Sequence, residues 1–175
     1  GIALRRACEK LIENGEVTVN GRVAKIGESV EDGDVVEYKG KVITPVSEYI
    51  YLMLFKPVGI ITTASDDRGR KTVIDLIDVK ERVYPVGRLD VNTSGLLLLT
   101  NDGDLANKLM HPKFQVDKTY KAIVKGRIDD EKLKALENGV MLEDGVTAPA
   151  KVKLIKFDKE NSYVEICIRE GRNRQ

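Results

Sequence analysis

The chain has 175 residues, with 29 lysines and arginines, 28 aspartates and glutamates, one histidine, two cysteines and no tryptophan, and its formal net charge is +1. Its 42% hydrophobic and 33% charged residues exclude a disordered chain and a membrane-spanning one. Its longest apolar runs, such as 96–99, fall far below the roughly 18 residues that span a bilayer. Cys8 and Cys167 lie outside any disulfide or zinc-ligand spacing, so we expect a cytosolic protein with reduced thiols.

The charge is unevenly distributed along the chain. Between Lys108 and Arg127 there are six basic residues and one acidic residue, and from Lys151 to Gln175 there are seven basic and four acidic residues. A nucleic-acid footprint depends on where the charge lies and not on the total. Two solvated faces of opposite sign explain the same pattern, so charge alone leaves both interpretations open.

The first part of the chain has the pattern of a short helix followed by a small sheet. Helical spacing of apolar residues predicts a helix over Arg5–Glu13, and Asn14-Gly15 supplies residues that end a helix. Alternating valines around Asn20-Gly21 predict a two-residue hairpin. Asp32-Gly33 marks another turn before a strand. Residues 1–43 are therefore predicted to form one unit.

This unit resembles the alpha-L RNA-binding module, also known as the S4 type. The resemblance rests on three segments, Gly1–Ile12, Gly15–Gly21 and Gly33–Val36. It implies that RNA phosphates are contacted by the basic residues of the helix, which are Arg5, Arg6 and Lys10. Without the resemblance these three are ordinary surface charges. The first helix usual in the family would precede Gly1, so we expect the module to be clipped at this end.

A linker is predicted at 44–48, because Pro45 cannot donate to a sheet. From residue 49 onward strands alternate with short helices, which is an α+β pattern with a mixed, largely antiparallel sheet. Strands are predicted over 51–55, 60–63, 96–100, 119–125, 150–157 and 162–169. Helices are predicted over 73–77, 104–110 with Asp102 as N-cap, and 129–137.

Several kinds of site are excluded by the motifs. There is no GxxxxGK[ST] phosphate loop, no GxGxxG and no HExxH, and one histidine cannot assemble a multi-histidine metal site. His111 lies at the end of a predicted helix, beside Pro112. It is interpreted first as a structural residue that complements the helix end, with contact to a phosphate as the alternative.

The most informative segment is Gly87–Gly103, which has the pattern of a turn-rich loop leading into a buried strand of four leucines. Asp90 lies in that loop, where a carboxylate can be held at the edge of a core and still face a cleft. Local chemistry offers a second interpretation. Asp90 can cap the turn at 93–95 or pair with Arg88.

The same segment resembles the signature of RNA pseudouridine synthases, in the group that contains RsuA and RluB. The resemblance extends to Phe55–Gly59, Met110–Pro112, Lys118–Tyr120 and Glu170–Gln175. Two further segments, Tyr84–Gly87 and Leu142–Ala150, are most like the RluB branch, which modifies large-subunit rRNA. The final motif continues into further residues in the family, so we expect the catalytic domain, over 49–175, to be incomplete at its C-terminal end.

The resemblance assigns three catalytic residues. It implies that Asp90 acts as an anion at the ribose, either as a nucleophile or as a base at C2′. It implies that Arg172 pairs with this aspartate, lowering its pKa and orienting it. It implies that Tyr120 stacks on the uracil and takes part in proton transfer. Without the resemblance, Arg172 is a phosphate contact or a surface charge, and Tyr120 is an ordinary strand aromatic.

The resemblance also suggests residues that contact the substrate. Ile168 is a candidate floor under the base, and Arg88 is a candidate for the arm that extrudes the uridine from folded RNA. His111 and the lysines are candidate contacts to the substrate or to the RNA backbone, the lysines being Lys56, Lys113, Lys118 and Lys121.

The resemblance predicts an enzyme that isomerises uridine to pseudouridine in ribosomal RNA and requires neither cofactor nor metal, because the reaction needs no external electron carrier. We expect a monomer, because RNA supplies the large surface that a second subunit would otherwise cover. Two alternatives remain: a non-catalytic rRNA-binding or assembly factor, and a synthase for small-subunit rRNA. A tRNA synthetase fragment with the same module is not supported, because HxGH-type and KMSKS-type motifs are lacking.

Overall fold

A computed structural model describes residues 2–3, 5–44 and 48–172. In these ranges the chain forms three helices and twelve strands, and all strand pairs are antiparallel. The helices are α1 (Arg5–Glu13), α2 (Gly103–Met110) and α3 (Asp130–Asn138). The strands are β1 (Val17–Val19), β2 (Arg22–Val23), β3 (Val36–Tyr38), β4 (Lys41–Val42), β5 (Tyr51–Lys56), β6 (Tyr84–Val86), β7 (Gly95–Thr100), β8 (Lys118–Lys125), β9 (Met141–Leu142), β10 (Gly145–Val146), β11 (Lys151–Phe157) and β12 (Asn161–Ile168).

The N-terminal part consists of α1 and a sheet with strand order β2-β1-β3-β4. Helix α1 ends as predicted at Asn14 and Gly15, and Gly15 takes a φ of +71°. The predicted hairpin pairs Val19 with Arg22. Its turn residues Asn20 and Gly21 have φ values of 51° and 77°, which is the type I′ arrangement that suits a two-residue hairpin. These local predictions are confirmed.

A second sheet, with order β5-β7-β6, covers the main hydrophobic core. Leu97 and Leu99 on β7 pack with Val73 and Val83. The four leucines are not all buried as predicted, because side chains alternate across a strand. Leu96 is 65% exposed on the opposite face.

A third sheet, with order β11-β12-β8, forms the C-terminal part. Its core includes Val164, which is fully buried, and α3 packs against β11. The buried hydroxyl of Ser162 donates to the carbonyl of Gly126 at 2.8 Å and accepts from the backbone N–H of Ile128 at 2.9 Å. Ser162 thereby ties the chain after β8 to β12. The short hairpin of β9 and β10 precedes β11.

Two of the predicted elements are only partly formed. The strand predicted over 60–63 is reduced to one bridge between Ile61 and Thr72. The helix predicted over 73–77 is a single 3-10 turn, Ile74–Leu76. Just before that turn, the backbone N–H of Thr72 donates to the Asp75 carboxylate at 2.7 Å, so a side chain satisfies a backbone donor there.

The remaining differences are additions, and one prediction lies outside the described residues. Strand β6 and the β9–β10 hairpin are absent from the predicted elements, because strands of two or three residues carry too few positions to show a period. The predicted linker falls largely on 45–47, which the structure does not describe. Within the described ranges no helix has the length and apolar character to cross a membrane.

Candidate active site

Asp90 lies in the loop between β6 and β7, and this loop is fastened to the segment after β5. The Thr62 hydroxyl donates to the carbonyl of Leu89 at 2.7 Å and accepts from its backbone N–H at 3.2 Å. The backbone N–H of Gly59 donates to the carbonyl of Val91 at 2.7 Å. The residues on both sides of Asp90 are therefore fixed, while Asp90 itself is exposed.

Lys56 is the cation buried beneath this loop. It is 0% exposed, and its ammonium donates to the carbonyl of Pro57 at 3.0 Å and to that of Thr93 at 2.8 Å. Thr93 closes the turn, because its backbone N–H donates to the carbonyl of Asp90 at 3.0 Å. Burial lowers the pKa of Lys56, and the charge of Asp90 partly offsets that shift.

The burial of Lys56 corrects one prediction. Lys56 was predicted to contact the RNA backbone, but a side chain with no exposed surface cannot reach a phosphate from solvent. The position follows from strand alternation, since Lys56 ends β5 on its inward face. Lys56 holds the loop instead.

A cavity of about 310 Å³ opens beside Asp90. This volume is at the lower end of the range for ligand sites in proteins. Asp90 and Arg88 both line it, and a second arginine, Arg70, also lines it. The other lining residues are Gly59, Ile61, Thr62, Leu89 and Val91.

Arg70 is a residue that sequence reasoning missed. Its Nη2 donates to Asp66 Oδ1 at 2.6 Å and its Nε to Asp66 Oδ2 at 3.3 Å. The same carboxylate accepts from the backbone N–H groups of Arg68 and Arg70, at 3.1 and 2.9 Å. These bonds, led by that from the Arg70 side chain, lower the pKa of Asp66 to about 2. The available signal was the spacing of four between Asp66 and Arg70 around a glycine turn.

Tyr120 and Ile168 lie on the third sheet and do not line the Asp90 cavity. Tyr120 on β8 is opposite Ile166 on β12, and Lys118 is opposite Ile168, so these four side chains share one face. Burial raises the pKa of Tyr120. Lys121 is one residue from Tyr120 along β8 and so lies on the other face, where it cannot contact the same part of a substrate.

The predicted ion pair between Arg172 and Asp90 does not form in the described part of the chain. The Arg172 guanidinium donates to the carbonyl of Val146 at 2.7 Å, to that of Asp144 at 3.1 Å, and to the Glu170 carboxylate at 3.2 Å. These acceptors lie around the turn of the β9–β10 hairpin and next to Arg172 in the chain. Arg172 therefore fastens this hairpin to the end of β12.

Gly139 lies between α3 and β9, at the start of the same hairpin. A Cβ atom added to Gly139 would lie 2.4 Å from the carbonyl oxygen of Thr147. The backbone N–H of Thr147 donates to the carbonyl of Val140 at 2.9 Å, and the Thr147 hydroxyl accepts from the Val140 N–H at 2.9 Å. This close approach leaves space only for glycine.

The His111 side chain makes a local contact in the turn after α2, whereas the interpretation from sequence had it complement the end of α2 itself. His111 follows the last residue of α2, and its Nδ1 accepts from the backbone N–H of Lys113 at 3.2 Å. Its ring lies edge-on to Phe114, with 6.4 Å between the centroids. The Lys113 ammonium lies 4.8 Å from the Phe114 centroid. Contact of His111 or Lys113 with RNA stays a prediction.

The basic residues of α1 are exposed, as an RNA contact requires. Arg5 is 94% exposed in its side chain and pairs with Glu9 at 3.5 Å, a surface pair that contributes little stability. Arg6 and Lys10 are also exposed. In the ranges that the structure covers, no cluster of three histidine, cysteine, aspartate or glutamate side chains is arranged to hold a metal ion.

Comparison with known families assigns the chain. The model of the RNA pseudouridylate synthase family matches residues 50–175, and the S4 domain model matches residues 1–36. The first match alone covers more than half of the chain. The chain belongs to the RNA pseudouridine synthase family.

Individual relatives agree with this assignment. The synthase is 51% identical over 179 residues to ribosomal large subunit pseudouridine synthase B of Bacillus subtilis (strain 168), a match that covers all of this chain and 73% of the relative. It is 44% identical over 176 residues to an uncharacterized RNA pseudouridine synthase of Aquifex aeolicus (strain VF5), covering 98% of this chain and 70% of the relative.

A solved structure supports the fold. The synthase matches a crystal structure of a pseudouridylate synthase with a TM-score of 0.65 and 30% sequence identity, over 98% of this chain and 74% of the other. The predicted α+β architecture with antiparallel sheets and an S4-type N-terminal part is confirmed.

Proposed function

We propose that this synthase isomerises uridine to pseudouridine in large-subunit ribosomal RNA, with Asp90 as the catalytic residue. The observation that carries the proposal is the placement of Asp90. Its carboxylate is exposed at the wall of a cavity, and the backbone on each side of it is hydrogen-bonded to residues after β5. The name of the Bacillus subtilis relative supports large-subunit rRNA as the substrate.

The reaction rearranges bonds within one nucleotide. The bond between N1 of uracil and C1′ of ribose breaks, the uracil turns, C5 joins C1′, and the C5 proton leaves while N1 gains a proton. Atoms and electrons balance without an oxidant or a reductant. Asp90 acts as an anion, either by attack on C1′ or by removal of the C2′ proton.

The cations near Asp90 suit an anionic role. Lys56 is buried beneath the loop and interacts electrostatically with Asp90, and Arg88 shares the cavity wall. A buried cation at fixed geometry stabilises a nearby carboxylate more than an exposed one does, because water screens it less. In this proposal Lys56 supports the charge of Asp90 from below, and Arg88 meets the RNA.

Tyr120, Ile168 and Arg172 complete the proposed site. The Tyr120 phenol is protonated at neutral pH, and burial raises its pKa further, so it can stack on the uracil and also donate a proton. Ile168 is proposed as the apolar surface under the base. Arg172 acts in this proposal as a positioning residue and not as the ion-pair partner of Asp90. Its bonds to Val146 and Asp144 keep the β9–β10 hairpin in place.

RNA contact extends to the N-terminal module in this proposal. We assign residues 1–43 to the RNA-binding module, 44–48 to a linker and 49–175 to the catalytic domain. Arg5, Arg6 and Lys10 contact phosphates, which position the RNA without selecting its sequence. Lys113, Lys118 and Lys121 extend the contact. In this proposal the protein acts as a monomer on rRNA in the cytoplasm.

The test is tritium release from C5-labelled uridine in large-subunit rRNA transcripts, without added metal or nucleotide. We compare the wild type with Asp90→Asn and with the control Asp78→Asn, which alters an exposed carboxylate away from the cavity. We expect release by the wild type and by Asp78→Asn, and none by Asp90→Asn despite retained RNA binding. Release by Asp90→Asn would contradict the mechanism.

The same assay separates the alternative functions. RNA binding that is tight and salt-sensitive, with no release by the wild type on any transcript, favours a binding or assembly factor. Release on small-subunit transcripts alone favours a small-subunit synthase. The exposed Asp90 at a cavity favours catalysis, because a scaffold that only binds RNA has no need for an anion facing its ligand.

A further inference from the structure

We propose that Arg70, held by Asp66, binds a phosphate of the RNA strand that enters the Asp90 cavity. This inference rests on the proposed function, because it names the group of the RNA substrate that Arg70 recognises at the cavity. Arg70 is neither in the segments that carry the resemblance nor in the loop of Asp90, and it reaches the cavity from the segment at 63–72.

The first step is the fixed position of the guanidinium. The Asp66 side chain is 8% exposed, whereas that of Arg70 is 54% exposed. Asp66 accepts two backbone N–H groups of its own loop and two guanidinium nitrogens, Nε and Nη2. The inner end of the arginine is thus anchored to a buried carboxylate, while its side chain remains accessible to a ligand.

The second step is the donor capacity that remains. An arginine has five N–H donors in a planar fork that matches the oxygens of a phosphate. Among the residues that the structure describes, the bonds of the Arg70 side chain use Nε and Nη2 and go only to Asp66. The N–H groups of Nη1 therefore remain for a ligand in the cavity.

The third step is the balance of charge around the cavity. Asp90 repels the phosphates that flank the nucleotide on which it acts, and this repulsion is strong where water is partly excluded. Arg70 and Arg88 line the cavity and Lys56 is buried beneath the loop, so these three cations exceed the two nearby carboxylates, Asp90 and Asp66, by one charge. A polyanion can therefore place its ribose beside Asp90 if its phosphates lie against the two arginines.

A phosphate fits these observations better than a uracil carbonyl does. The Arg70 side chain is more than half exposed, and a charged ligand keeps its attraction at an exposed site where a neutral hydrogen bond is largely replaced by water. Arg70 also lines a second cavity of about 270 Å³, together with other residues of its own loop. It therefore stands at a rim, where a backbone passes, and not at a closed base pocket.

The experiment compares Arg70→Gln with Arg68→Gln in the full chain. Arg68 is an exposed arginine of the same loop that does not line either cavity, so its removal matches the change in net charge. We measure KM and kcat by tritium release, and the dissociation constant at several salt concentrations, on a large-subunit rRNA transcript. Melting temperatures verify that both variants fold.

We expect Arg70→Gln to raise KM and the dissociation constant about tenfold or more, since a charge-assisted bond is lost. The salt dependence of its binding should fall by about one phosphate contact. Arg70→Lys should lie in between, because it keeps the charge and loses the fork. Asp66→Asn, which frees the guanidinium from its anchor, should weaken binding less than Arg70→Gln does. Arg68→Gln should stay within about twofold of the wild type.

A neutral linkage identifies the ligand group. Short RNA hairpins carry one methylphosphonate, either 5′ or 3′ of the target uridine, in place of the phosphate. At one of the two linkages, the replacement should weaken binding to the wild type and have little further effect on Arg70→Gln. Equal losses for both proteins at both linkages would overturn the inference, as would an Arg70→Gln variant that binds like Arg68→Gln.

The outcomes for this inference and for the proposed function are distinct. If the wild type forms pseudouridine while the two arginine variants bind RNA equally well, the inference fails and the function stands. If Arg70→Gln alone loses RNA affinity, with the methylphosphonate pattern above, while the wild type forms no pseudouridine, the phosphate contact stands and the catalytic proposal fails.

Discussion

Replacing Thr62 with valine tests whether a single hydroxyl sets the geometry of Asp90. Valine keeps the shape of the side chain and removes both hydrogen bonds to Leu89, the residue before Asp90. Two such bonds contribute about 2 kcal/mol together. For a chain of this size we therefore expect the melting temperature to fall by about 4–8 °C.

The same loss should appear in turnover. If all of the lost stabilisation comes from the position of Asp90 in the transition state, kcat falls by about 30-fold, and this is the upper limit. KM should change little, because Thr62 is 6% exposed and its hydroxyl is committed to Leu89. Single-turnover tritium release measures the chemical step, and thermal unfolding measures stability.

Thr62→Ser is the matched control, because it keeps the hydroxyl and removes the methyl group. We expect it to retain most of the wild-type kcat. A Thr62→Val variant with wild-type kcat would refute the idea that these bonds hold Asp90 in its reactive position. A loss of kcat in the serine variant alone would assign the effect to packing of the methyl group, which valine keeps.

Three other predictions follow from burial and charge. Leu99→Ala, at a fully buried core position, should lower stability by about 3 kcal/mol in urea unfolding, whereas a similar loss in Leu96→Ala at an exposed position would contradict the assignment of the core. The pKa of Asp66 in the fold is about 2, below its ordinary value of 3.8, so its stabilising effect is present above about pH 4 and is lost as the pH falls toward 2. The difference in the free energy of unfolding between wild type and Asp66→Asn should therefore shrink over that interval. A constant difference would count against the ion pair. Tyr120→Phe should lower kcat about 100-fold or more if the phenol transfers a proton. Tyr163→Phe, on the opposite face of the sheet, is the control, and equal kcat values for the two variants would contradict the proposed proton transfer.

The parts of the fold that the sequence predicts well are those determined over a few residues. The Asn20-Gly21 turn takes the two positive φ values that only such residues accept readily. Asp102 accepts from the backbone N–H of Leu105 at 2.9 Å and begins α2 as its N-cap. Both features depend on neighbours in the chain, so no tertiary knowledge is needed.

The features that differ from prediction depend on contacts distant in the chain. Leu96 is exposed because β7 has only one face against the core, and the sequence does not state which leucines face it. Lys56 can keep its ammonium buried because the carbonyl of Thr93, 37 positions later, accepts from it. Arg172 bonds to the hairpin turn at Asp144 and Val146, 28 and 26 positions earlier. Residue type and spacing do not encode these partners.

The candidate site shows the same division. Asp90 and Arg88 are two positions apart in the sequence, and the structure places both at the cavity. The motif predicts where Tyr120 lies in the chain but not its distance from Asp90. Tyr120 belongs to the third sheet, whereas the Asp90 loop joins two strands of the second sheet. Arg70 is absent from the prediction, because its importance depends on a cavity that forms only when the segment at 59–72 meets the loop at 88–91.

The bonds that hold the Asp90 loop also determine when the site can form during folding. Thr62 and Leu89 are 27 positions apart, and Lys56 and Thr93 are 37 apart. Closing such loops has an entropic cost that local turns and helices do not have. We therefore expect α1 and its hairpin to form early and the Asp90 loop to order only once β5 and β7 have paired. If residues 1–43 bind RNA as proposed, the nascent chain gains that capacity before the Asp90 site is formed.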